Sequence, residues 1–223
     1  MSADNGDLLK PKRSAGRPRV NSKSQVVRRL TDATEQLLRE CSHYDLTERK
    51  IAAAADTTVA MIHYYFGNKN GLLFDILVGY YDEISEKLKA LDKIDPMADS
   101  VIGDIVAIVV DAYYSKYWII RIAMSEFSRA NSPFRALFLE KYGSRGVGLN
   151  CLEKVFERLI SSGVFSQRGS PAYAAIGLIS LIMAPLTVAP MYEGLLPLNQ
   201  INSDGWSDYV TDIFTQNILI RPA

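Results

Sequence analysis

Val59, Ala60, Met61, His63 and Tyr64 stand close together in a stretch whose other positions are apolar. Ile62 and Phe66 lie four apart, so on a helix they share the inward face and leave the first set on the opposite one. Small apolar groups, an imidazole and a phenol ring on one exposed face are the tools for reading base edges. Val59 or Met61 suits a thymine methyl, and the polar tips suit hydrogen bonds in a major groove. Just upstream, Ala52, Ala53, Ala54 and Ala55 let two backbones approach closely, and Ile51 joins Ile62 and Phe66 as a buried contact. A short helix, a tight turn and a second short helix ending in aromatics is the arrangement that lays a helix in a groove of DNA.

The charge pattern points the same way. From Lys10 to Arg29 every charge is positive: Lys10, Lys12, Arg13, Arg17, Arg19, Lys23, Arg28 and Arg29. The whole chain has a formal net charge of +0, so this block is an asymmetry and not an excess. A one-sign block is an electrostatic footprint for phosphates, and its affinity falls as salt rises; a solvated tail is the alternative. Within Gly16-Arg17-Pro18-Arg19 the proline keeps the backbone extended, and a slender arm with Arg17 and Arg19 fits a narrow minor groove.

Other chemistry is sparse. His43 and His63 are not at metal-ligand spacing from each other or from Cys41 and Cys151. Neither a phosphate-cradling glycine loop nor a nucleophile elbow is present. Asp104, Asp111 and Glu126 read as solvated or ion-paired groups. No catalytic constellation, metal or cofactor is expected. One cluster stands out: Tyr113, Tyr114, Tyr117, Trp118, Arg121, Met124 and Phe127, followed by Phe134, Phe138, Tyr142 and Phe156. Aromatics around one arginine suit a small-molecule pocket between helices, and equally a helical core. Arg121 sits among apolar neighbours, so it is paired with Glu126 or another carboxylate, reaches solvent, or receives an anion.

The elements that must hold these residues are helices. With 223 residues, 48% hydrophobic and 22% charged, the chain has the balance of a globular protein of one large or two small domains. Two cysteines outside any ligand pattern suit reduced thiols in the cytosol, and the polar, basic N-terminus has no signal-peptide pattern. Leu30, Ala33, Thr34, Leu37 and Leu38 form a stripe on a first helix over 24–41. Thr47 and Thr58 are predicted N-caps of the second and third helices. A long fourth helix runs over 69–91, and Asp95-Pro96 is predicted to start a fifth reaching Tyr114. Further helices are predicted over 116–130, 133–161, 171–189 and 203–219, with Gly143, Gly146 and Gly148 as a kink or break in the second of these. The charge-free run Pro171–Tyr192 is long enough to span a bilayer, but Pro185 and Pro190 and the lack of flanking basic residues beyond Arg168 favour a buried helix.

Residues 28–77 resemble the DNA-binding domain of TetR-type bacterial transcription regulators. The likeness runs through Ala33, Leu37-Leu38, Thr47, Ile51-Ala52, Ala55, Thr58, Ile62, Tyr64-Tyr65-Phe66, Lys69 and Leu72-Leu73. Asp56 stands where the family usually has a glycine. The resemblance implies an all-α chain with a basic arm (1–22), a three-helix helix-turn-helix DNA-binding domain (23–68) and a helical ligand-binding and dimerisation domain (69–223) joined by the long fourth helix. By the same analogy Thr47, Thr58, His63, Tyr65 and Lys69 meet phosphates while Val59, Ala60, Met61 and Tyr64 face bases. It also implies a cytoplasmic homodimer on a palindromic operator, repressing until a small effector releases it. Tyr113, Tyr117, Trp118, Arg121, Met124, Phe138 and Met183 are the candidate effector contacts. The competing reading is a DNA-binding architectural protein whose C-terminal helices serve only dimerisation.

Overall fold

The computed structural model describes residues 20–143, 146–165, 170–188 and 204–218, and the regular structure among them is helical throughout. The arm with Arg17 and Arg19 lies outside the described residues. The head of the molecule is α1 (Val20–Glu40), α2 (Glu48–Ala54) and α3 (Val59–Phe66). The stripe on α1 turns inward: Leu30, Ala33, Thr34 and Leu38 are buried and meet Leu46, Ile51, Ala52 and Ile62. Thr34 satisfies its hydroxyl on the Leu30 carbonyl, 2.7 Å away, so the stripe's one polar member buries no unpaired group.

Thr47 caps α2, its side chain accepting from the Lys50 N–H at 3.2 Å. The helix ends because Asp56 takes a left-handed conformation at φ 47°. That single residue closes two hydrogen bonds: its own N–H to Ala53 and the Thr57 N–H to Ala52, the pattern usually built on glycine. Thr58 has the extended backbone of an N-cap, but its side chain makes no capping bond.

α4 (Lys69–Leu88) has 20 residues and so is about 30 Å long. It contacts α1 and α3 of the head and α5, α6 and α8 of a second bundle. Leu72, Leu73, Ile76, Leu77, Tyr80, Ile84 and Leu88 are its buried side. A short 3₁₀ turn, Lys89–Lys93, leads to α5 (Val101–Tyr114), α6 (Tyr117–Phe127), α7 (Pro133–Tyr142), α8 (Gly146–Ser161), α9 (Pro171–Val188) and α10 (Asp204–Ile218). In the second bundle α8 lies on α9 and α5 on α10, around Ile105, Val109, Phe156, Phe165, Ile182 and Phe214.

Two helix boundaries differ from the sequence expectation. Asp95 does not open the fifth helix: its carboxylate accepts from the Met97 N–H at 2.9 Å and its carbonyl from the Ala98 N–H at 3.2 Å. The aspartate closes a local turn, and α5 starts only at Val101. The long helix predicted from Pro133 is two helices, because Gly143 takes φ 75° at the end of α7.

The described part of the charge-free run is α9, which packs one side into this bundle. Ala175, Leu178, Ile182, Met183 and Leu186 of α9 are buried, and among the described residues no helix is long and apolar enough to cross a membrane. Pro185 cannot donate to the Leu181 carbonyl, yet α9 continues through it. Tyrosine hydroxyls tie the helices together: Tyr80 donates to the Tyr113 carbonyl at 2.7 Å and Tyr114 to that of Ile182 at 2.6 Å.

Candidate nucleic-acid interface

α3 has one buried residue, Ile62, and the rest of the helix faces outward to varying degrees. Tyr64 is 75% exposed, Ala60 and His63 are exposed, and Val59 and Met61 are half-buried. The Tyr65 ring meets that of Tyr64 edge-on at 4.9 Å between centroids, which fixes the aromatic pair at the helix end. Thr47 and Thr58 are exposed at the N-termini of α2 and α3, where backbone N–H groups and helix dipoles favour a phosphate. Arg29, the last charge of the basic block, lies on the same head with its guanidinium 3.3 Å from the Asp56 carbonyl.

Glu48, a residue the motif does not single out, organises this surface. One carboxylate oxygen accepts from His63 Nε2 at 3.0 Å, and the other accepts the Lys69 backbone N–H at 2.9 Å. It thus orients the imidazole on α3 and caps α4, where Asn68 also accepts from the Gly71 N–H at 3.0 Å. His63 Nδ1 is bonded to the Gly67 carbonyl at 2.9 Å, so both ring nitrogens are held. The Lys69 ammonium turns back into the head and donates to the carbonyls of His43 (3.2 Å) and Leu46 (2.9 Å).

A second polar cluster joins the head to the other bundle. Glu126 of α6 is 3% exposed. Its carboxylate accepts from Ser132 at 2.7 Å, from Tyr44 at 3.0 Å, and meets His43 Nε2 at 3.0 Å. Burial alone would push the Glu126 carboxyl up. The hydrogen bonds from Ser132, His43 and Tyr44, with the charge of Arg129, outweigh it and hold the group below the usual carboxylate range. Nothing in the sequence period signals this contact, because its partners are 83 residues apart.

The seven candidate effector contacts are divided. Tyr117, Trp118 and Arg121 line a cleft against the C-terminal end of α1. Tyr113 is buried, with its hydroxyl against Gly148 of α8. Phe138 packs among Tyr81, Phe127 and Tyr142, Met183 is buried on α9, and Met124 is 43% exposed. Glu126 is taken up by the junction cluster, and Arg121 is exposed.

A three-helix head with a short second helix behind the exposed third, carried on a longer helical bundle, is a helix-turn-helix arrangement. Residues 30–76 match the family of bacterial regulatory proteins, tetR family, so the head is similar to the DNA-binding domain of those regulators. The fold extends beyond the head. SmeT, the repressor of the Stenotrophomonas maltophilia multidrug efflux pump SmeDEF, is similar at 16% identity over 87% of this chain and 90% of its own, with a TM-score of 0.63. The TetR family regulator PfmR from Thermus thermophilus is similar at 14% identity over 84% and 97% of the two chains, with a TM-score of 0.63. A complex of SmeT with triclosan aligns at 18% identity over 87% and 92%, with a TM-score of 0.55. No curated protein matches the chain.

Proposed function

We propose that this chain is a cytoplasmic, ligand-responsive repressor that binds a palindromic operator as a homodimer and leaves it when a small molecule binds the C-terminal bundle. The observation that carries the reading is the outward face of α3, with Tyr64 at its most exposed point. One such face contacts few bases, and a two-fold pair reads two half-sites about one helical turn apart. Val59, Ala60, Met61 and Tyr64 take the base edges. Thr47, Thr58, His63, Tyr65 and Lys69 position the head on the backbone, and Arg17 and Arg19 of the arm 1–22 enter the adjacent minor groove. The head 23–68 reads, and the bundle 69–223 pairs and responds.

Support for a responsive bundle comes from the fold it shares with SmeT, which has been captured with triclosan, and from the contact between head and bundle through Glu126. Selection from random duplexes by the full-length protein should return a palindrome. Tyr64→Ala should lower affinity for it about tenfold and relax the preference at the positions Tyr64 reads, since base contacts carry specificity. If selection returns no shared sequence and binding depends on salt alone, the chain is an architectural DNA-binding protein.

A further inference from the structure

Two arginines from different parts of the molecule line the cleft where the head touches the second bundle. Arg39 belongs to the last turn of α1 and Arg121 to the middle of α6. With Trp118, His43 and Tyr44 they enclose about 330 Å³, enough for a small ligand. The Arg39 guanidinium sits 6.0 Å from the centre of the Trp118 ring. Both arginines are exposed, and among the described residues neither forms an ion pair, although Lys116, Arg129 and Lys141 on the same bundle do. Glu40 also lines the cleft, and His43 and Glu126 engage each other at its edge. Two guanidiniums against one unengaged carboxylate leave the cleft positive.

We propose that this cleft binds a small organic carboxylate with a flat apolar body, its charge between Arg39 and Arg121 and its body against Trp118. A guanidinium fork matches a carboxylate with two parallel hydrogen bonds, and the part of the Trp118 indole that lines the cleft offers an apolar contact. The inference deepens the regulator reading and rests on it, because it places the effector where an occupant touches α1 and α6 at once. Such an occupant lies beside the bond between His43 and Glu126. It shifts the head only by favouring one setting of α1 against α6 over another.

The chain has two tryptophans, so full-length protein carrying Trp206→Phe reports Trp118 alone. Benzoate titrated at constant ionic strength should change Trp118 fluorescence saturably with a millimolar midpoint. Benzamide, the same shape without the charge, should bind far more weakly. Arg39→Ala and Arg121→Ala should each weaken benzoate about tenfold or more, the loss of a charge-assisted contact. Both side chains are exposed, and circular dichroism verifies that the variants fold. A signal that does not saturate, equal binding of benzamide, or undiminished binding in either alanine variant overturns the proposal. The readout needs no DNA, so its failure is distinct from a failure to select an operator.

Discussion

Glu48 holds together the surface on which the DNA reading depends. Its two oxygens serve two helices, with His63 on α3 and the first N–H of α4 each within 3.0 Å. Glu48→Ala leaves that N–H without its acceptor and frees the imidazole. The expected loss is about 1–2 kcal/mol of stability by chemical denaturation, with a drop in DNA affinity larger than the stability change alone produces. His63 was legible as an exposed side chain on the outward face of α3, but Glu48 was not, because a pairing among three helices follows no sequence period. The same is true of Glu126. A carboxylate five residues beyond Arg121 was one candidate partner for it, yet the loop carrying His43 and Tyr44 engages Glu126 instead. Lys69 shows the opposite case, a residue the motif marks clearly and whose ammonium the structure engages with loop carbonyls.

Helix boundaries were legible where side-chain periodicity set them and less so where local turns competed. The stripe on α1 and the cap at Thr47 follow directly from residue type. Asp95 carries the same capping chemistry, but a turn of two hydrogen bonds satisfies it before a helix can start. The end of α7 needed only Gly143 in a positive-φ conformation, which the glycine run hinted at without saying which residue would break the helix. The joint between α3 and α4 depends on Gly71. A Cβ there would run into the carbonyl of Phe66, a backbone atom that cannot swing aside. Gly71→Ala should therefore displace α3 from α4 and cost roughly 1–3 kcal/mol, seen as a lower thermal midpoint and weakened operator binding. Gly79→Ala in the interior of the same helix meets nothing within 4 Å and should raise the thermal midpoint slightly while leaving operator binding unchanged.

At the scale of the whole molecule, α9 and α10 divide into a side that builds the core and a side that remains outside it. Val210 and Phe214 are buried against Phe156 and its neighbours, whereas Tyr173 and Ile176 are 76% and 48% exposed. The residues of α9 do not by themselves assign these sides, since a charge-free helix has no polar face to orient it. A charge at Phe214 would test folding; one at Ile176 tests assembly. Ile176→Asp should give a folded monomer in sedimentation, with operator affinity reduced a hundredfold or more (~3 kcal/mol) because one head loses its partner. Unchanged sedimentation would place the interface elsewhere. The hydroxyl ties between helices also set a limit at the alkaline end. Burial raises the phenols of Tyr80, Tyr113 and Tyr114 above the ordinary 10.0, so the folded state favours their protonated form. Their contribution is whole below pH 10.0 and drains away as pH climbs past it, when the unfolded chain gains by ionising. A base titration followed by ultraviolet absorbance reads tyrosinate directly. The buried three should ionise together in a late, steep step that coincides with loss of helix, making tyrosinate an optical marker of the moment the bundle comes apart.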